Sequence, residues 1–286
     1  MTEALADQAA GLRRLIAPGS LRALMVTAGS ASLAHGVVTA NIALALAAQG
    51  REVLLWDAAG GERSCSWLLG ADTGLDLMDA VAGTRDIDEV APRVRASVRL
   101  VPASRFFAGW QRLRPQDLGR LADVLIGLSS EADVSIVEAP VAGFNALPLA
   151  GEVALVARAE PDSITRSYRL LKRIGMDGGR ARAGLILQAT HDLGHARSVF
   201  ANLAATSREF LGMQVECLGV LPDDPAAARA IALRQALVES FPACEGARAL
   251  RACADRLMSE PQQDELSAHA LAARMVSAVR SASQSR

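Results

Sequence analysis

A chain of 286 residues is long enough to bury a substantial core, and nothing in it demands a second large domain. Thirty Lys and Arg against 31 Asp and Glu leave no global charge to draw nucleic acid or acidic lipid, so protein partners are expected. Cys65, Cys217, Cys244 and Cys253 form no C-x-x-C pair or disulfide framework, aromatics at 3% suit no base- or sugar-stacking surface, and neither a membrane-length apolar run nor a secretory signal is present, which points to the cytoplasm.

The first predicted element is a helix. Leu5, Ala9, Leu12 and Ile16 form one apolar stripe that Pro18-Gly19 stops, with Gln8 and Leu15 at its edge and Asp7 and Arg14 roughly opposite. By period alone it is a helix lying on the domain's own surface. Short apolar runs follow at 21–27, 52–57, 98–101, 133–138, 152–157, 183–187 and 215–221, alternating with helical spacing over 37–49, 115–129, 163–174 and 194–210. Runs such as Val153-Ala154-Leu155-Val156 show no polar alternation, as strands covered on both faces require. The expected fold is therefore α/β, a three-layer doubly wound, mostly parallel sheet. Helices are predicted over 226–239, 246–258 and 265–280, and Pro261-Gln262-Gln263-Asp264 breaks the chain before the last. This gives an N-terminal helix at 1–19, a core domain at 20–260 and a C-terminal helix or tail at 261–286.

The turn after the first strand, Gly29-Ser30-Ala31-Ser32-Leu33-Ala34-His35-Gly36, is followed by Asn41-Ile42-Ala43-Leu44-Ala45-Leu46-Ala47. This frame resembles the G-K-G-G-V-G-K-T loop and N-x-A-x-A-L-A helix of the ParA/MinD family of P-loop proteins. Asp7-Gln8-Ala9-Ala10-Gly11-Leu12-Arg13-Arg14-Leu15 resembles the D-Q-A-x-G-L-R-x-L opening of its FlhG (FleN) branch, the regulators of flagellar number. The likeness continues through Glu160-Pro161-Asp162-Ser163-Ile164-Thr165, Leu218-Gly219-Val220-Leu221-Pro222-Asp223 and Arg234-Gln235-Ala236-Leu237-Val238, so it spans about residues 5 to 260.

The resemblance implies a nucleotide site, but its chemistry has been removed. Only Gly29 remains of the loop glycines, with Ala31, Ser32 and Ala34 in place of the rest; side chains there restrict φ and crowd the amide cradle that holds phosphates. His35 stands at the invariant lysine, Gly36 at the Mg²⁺-binding Thr, and Ser30 at the lysine that reaches across the family's dimer. Asp57 is kept, yet Ala59 replaces the carboxylate that positions the attacking water. Glu138 replaces the Walker B Asp, the following Ala139-Pro140-Val141-Ala142-Gly143 is one residue too long for the family's switch, and Gln188 replaces an adenine-reading Asn.

These departures imply a pseudo-ATPase with no catalytic residue, no metal and no cofactor. The opening motif implies a partner, an FlhF-like GTPase of the signal-recognition-particle type, contacted by Asp7, Gln8, Gly11, Leu12, Arg13, Arg14 and Leu15. There the Gln8 carboxamide would help complete the GTPase site by orienting water. Basal-body proteins or an intact paralogue are further expected partners. The alternative is an active ATP-dependent switch that dimerises and binds membrane, with ATP and Mg²⁺ as cofactors. A DNA-segregating ParA role fits less well, because no basic cluster tracks a phosphate backbone. Leu271, Met275 and Val279 form a short stripe at i, i+4, i+8 on the last helix, suited to packing and to no more than weak membrane contact.

Overall fold

The computed structural model describes residues 21–30, 34–71, 74–141, 147–178, 182–188, 192–259 and 266–284. In chain order they form β1 (Arg22–Ala28), α1 (His35–Ala48), β2 (Val53–Asp57), α2 (Cys65–Leu69), α3 (Leu77–Ala82), α4 (Ile87–Val90), β3 (Arg93–Arg95), β4 (Val98–Pro102), α5 (Ser104–Gly109), α6 (Leu118–Ser130) and β5 (Val134–Glu138). The second half contributes β6 (Glu152–Arg158), α7 (Pro161–Gly178), β7 (Arg182–Gln188), α8 (Leu193–Leu211), β8 (Val215–Leu221), α9 (Pro225–Ala232), α10 (Leu237–Ser240), α11 (Glu245–Ser259) and α12 (Ala268–Gln284).

The strands make one sheet in the order β3-β4-β2-β5-β1-β6-β7-β8. Every neighbouring pair is parallel except β3 with β4, which closes one edge. Period-two alternation sends Ala23 and Met25 of β1 to one layer and Leu24 and Val26 to the other. The first layer is built by α6, α7, α8 and α12, and the second by α1, α2 and α9 to α11. Because both faces are covered, β2 is buried along its whole length, which is why its sequence Val-Leu-Leu-Trp-Asp shows no polar side. The strand order reverses around β1, so the crevice beyond the carboxyl ends of β1, β5 and β6 is the place where such a sheet holds a ligand.

The expected α/β doubly wound sheet is thus observed, with three local differences. The predicted helix over 226–239 is two helices, because Arg234 adopts a left-handed φ of 50° and stacks its guanidinium on Trp67, 4.8 Å from the ring centre. The edge strand β3 and the short helices α2 to α5 carry too few residues to show a period. The last helix is a structural member of the first layer: Leu271, Met275 and Val279 are at most 1% exposed and pack into the main core. Ahead of it, Leu21 N donates to Leu266 O at 2.7 Å, tying the start of β1 to the start of α12. No helix among the described residues is long and apolar enough to cross a membrane.

Candidate functional site

Asp57 and Glu138 end adjacent strands and are direct partners in the β2–β5 register, so their side chains emerge side by side in the crevice. Both are 2% exposed. Neither points to open space. Asp57 Oδ1 accepts from Gly60 N at 2.6 Å and Oδ2 from Ser66 N at 3.0 Å, while Glu138 Oε2 accepts from Cys65 N at 2.7 Å. The two carboxyls therefore cap the first turn of α2, with Ser64 Oγ accepting from Trp67 N as its N-cap. Ser64-Cys65-Ser66 ahead of an apolar Trp67-Leu68-Leu69 was the signal for this helix, which sequence reading missed.

The other Glu138 oxygen faces α1. A Cβ on Gly36 would collide with Glu138 Oε1 and lie 2.5 Å from Arg63 O, so glycine is the residue this packing admits. His35 Nε2 lies 3.9 Å from the same oxygen and 2.7 Å from Ala139 O. A carbonyl only accepts, so Nε2 carries the proton of that bond. Burial lowers the His35 pKa, against the raising effects of the Ala139 bond and the Asp57 charge. Burial, then the neighbouring Asp57 charge, pushes Glu138 up to about 8 despite its bond from Cys65, so its carboxyl is protonated at neutral pH. The Cys65 thiol, buried beside the same two acids, is likewise held well above the usual thiol range. It is inert packing, its Sγ donating to Gly36 O at 3.4 Å.

Ala34 precedes α1 with φ 44° and ψ 46°, a left-handed conformation that glycine takes freely and alanine at a cost of about 1 kcal/mol. Gly29 is needed where it stands, since a Cβ there would lie 2.7 Å from Arg166 Cβ on α7. Ala59 and Ser30 are half-buried beside these residues, and Gln188 at the end of β7 lines a separate cavity with Ala34. Ala31 and Ser32 lie outside the described residues, as do Asp7, Gln8, Gly11, Leu12, Arg13, Arg14 and Leu15.

This site does not fit a metal-bound triphosphate. The imidazole at 35 is turned onto a backbone carbonyl, position 36 offers no oxygen, and the two acids, Asp57 and Glu138, are turned onto the backbone amides of residues 60, 65 and 66. No group of three or more His, Cys, Asp or Glu side chains is placed to hold a metal among the described residues.

No protein-family model matches the chain. It is 30% identical over 246 residues to the antiactivator FleN of Pseudomonas aeruginosa, covering 84% of this chain and 88% of FleN. Among solved structures, MinD in the MinC:MinD cell division complex of Aquifex aeolicus superposes with a TM-score of 0.65 at 23% identity, over 86% of this chain and 99% of that one. A ParA family ATPase from Chlorobium tepidum gives 0.63 at 17% identity, over 84% and 100%. Sequence likeness along the chain and a shared sheet thus agree, and the protein belongs to the FleN (FlhG) branch of the ParA/MinD family of P-loop proteins.

Proposed function

We propose that this protein is a FleN-like regulator that works as a pseudo-ATPase, through contacts with other proteins rather than through nucleotide turnover. The observation that carries the reading is the Glu138 carboxyl packed against Gly36. The acid and the position that a P-loop protein devotes to its metal have closed on each other and on the N-terminus of α2. An intact switch needs a lysine at 35, a hydroxyl at 36 and a carboxylate at 59, and here these are His, Gly and Ala. With ATP-driven dimerisation removed, the fold serves as a fixed scaffold for its surfaces.

The surface with the most specific sequence is the opening segment. Asp7, Gln8, Gly11, Leu12, Arg13, Arg14 and Leu15 match the partner-binding motif of the branch, and the proposed partner is an FlhF-like GTPase. Gln8 supplies an amide that donates and accepts at once, which is what orienting a hydrolytic water demands. The test has two arms. Purified protein with Mg-ATP is expected to show no turnover above a buffer blank, and measurable turnover lost in a His35→Ala variant would refute the pseudo-ATPase reading. The protein is expected to bind the GTPase and raise its GTP hydrolysis, with Gln8→Ala retaining binding and losing stimulation. Absence of binding by the wild type would refute the partner assignment.

A further inference from the structure

The last helix has a second face. Beside the buried stripe of Leu271, Met275 and Val279, positions 270, 273, 274, 277, 278 and 281 recur at i, i+3, i+4, i+7, i+8 and i+11 and so lie along one other side of α12. Ala270 and Ala278 are half-buried there, Ala273 and Ser277 are exposed, and with Pro148 they line a shallow, mainly apolar groove of about 640 Å³. Arg274 is the one charged residue lining it among the described residues. Side chains this small let a second helix come within about 8 Å of the axis of α12, the near limit for packed helices. The groove therefore suits a helix that carries larger apolar residues on one side.

The sequence ahead of β1 supplies such a side. Its apolar stripe runs from Leu5 through Ala9 and Leu12 to Ile16, and the groove runs from Ala270 to Ser281. At the helical rise per residue the two are equally long, about 16 Å each. The point where this segment joins the fold is fixed by the bond from Leu21 N to Leu266 O, two residues before α12 begins at Ala268. Ala17-Pro18-Gly19-Ser20 links Ile16 to that anchor. Five chain steps reach at most about 17 Å, enough to set Ile16 beside the first turn of α12, and Pro-Gly suits the reversal. An antiparallel arrangement then brings Leu12 to the level of Arg274 and Ala9 to that of Ser277. We propose that the segment lays its apolar stripe in this groove of its own chain and so withholds Leu12, and Gln8 at the stripe's edge, from the GTPase. The inference rests on the partner assignment above and adds its regulation: the partner has to draw the segment off α12 before the activating amide is delivered.

Two measurements on the full chain test it. In the first, Ala9→Cys/Ser277→Cys is treated with oxidised glutathione and the disulfide is located by peptide mass mapping. It is expected to close within one chain about tenfold faster than in Ala10→Cys/Ser277→Cys, where position 10 lies off the stripe. Equal rates would overturn the docking, and a disulfide formed only between chains would overturn it by giving the groove to a second copy. In the second, Ala273→Trp, a change at an exposed position, fills the groove, with an unchanged melting transition as the folding control. If the docked form holds about nine molecules in ten, this variant is expected to bind the GTPase about tenfold more tightly than the wild type. Equal affinity of the two proteins for the GTPase would overturn the withholding. A GTPase that binds neither protein would defeat the partner assignment instead, and the disulfide rates alone would then decide the docking.

Discussion

Glu138 Oε1 occupies the space that a side chain on Gly36 would require, so the two residues are complementary in the literal sense that one is packed where the other is absent. Restoring the missing hydroxyl therefore does not restore a metal site. Gly36→Thr is expected to overpack the crevice and cost about 1–3 kcal/mol of stability. Shortening the acid relieves it, so Glu138→Asp in the same chain is expected to recover about half of that loss. Urea unfolding of the wild type, both single variants and the pair closes the double-mutant cycle, and additive effects would show that the two positions are not in contact.

The raised Glu138 pKa has a definite sign in the pH dependence of stability. The folded state holds this proton up to about pH 8, whereas the unfolded chain releases it near the ordinary glutamate value of 4.5. The stability it contributes is fully present below 4.5 and is lost as pH rises through 8. His35, lowered by burial from 6.5, works in the opposite sense and only below that value, and the buried Cys65 and Cys253 thiols, raised from 9.0, act only as pH approaches 9, so the Glu138 effect is read cleanly between pH 7 and 8. There the wild type is expected to lose about 1 kcal/mol, with the curve flattening above 8. In Glu138→Gln the amide oxygen still accepts from Cys65 N and nothing titrates, so this fall should vanish. Denaturant midpoints at pH 7 and 8 for the two proteins decide it. A fall of equal size in the glutamine variant would assign the effect elsewhere.

The fold was legible because uninterrupted apolar runs such as 53–56 and 153–156, spaced between stretches of helical period, suit strands covered on both faces. The substitutions His35, Gly36, Ala59 and Glu138 were equally plain against the motif frame. Their consequence was not. Sequence reading had Glu138 as a replacement for the Walker B Asp, and only the backbone of α2, a five-residue helix without a detectable period, shows where that carboxyl goes. Arg63, whose carbonyl lies against Gly36, was invisible for the same reason: its placement depends on a left-handed φ in a turn that no periodicity announces. The stripe of Leu271, Met275 and Val279 was seen, but what covers it depends on contacts with residues about 150 positions earlier in the chain, notably on α6.

Away from the crevice, β1 and β6 are joined across the sheet by Arg22 and Glu152, whose closest approach is 2.8 Å, with side chains 8% and 12% exposed. Such a pair offsets its own desolvation only while both members are present. Arg22→Met is therefore expected to cost about 3 kcal/mol, because it leaves the Glu152 carboxylate without its partner, and Arg22→Met/Glu152→Leu should regain most of that. Chemical denaturation of the two variants checks the order. A double variant less stable than the single would mean that the pair contributes more than the uncompensated charge it hides.

The burial of the last helix makes a prediction that separates packing from membrane contact. Leu271 and Met275 are fully buried and Val279 nearly so, which places the entire apolar stripe of α12 against α6 and the short turns at 110–112 and 147–149. A helix that gave this stripe to a bilayer would have to surrender the contacts that complete the first layer, and removing a buried Met or Leu side chain from such a layer costs about 2–5 kcal/mol. Met275→Ala is thus expected to lower stability by that amount and to leave any vesicle association unchanged. Because Leu21 is bonded to Leu266 at the head of this helix, loss of α12 also frees the entry to β1, so truncation before residue 266 is expected to abolish cooperative unfolding rather than merely lower its midpoint. Thermal melts of the substitution and the truncation, run beside flotation on anionic vesicles, test both halves. A truncated protein that still unfolds in one sharp transition would show that α12 is an appendage of the domain and not part of its core.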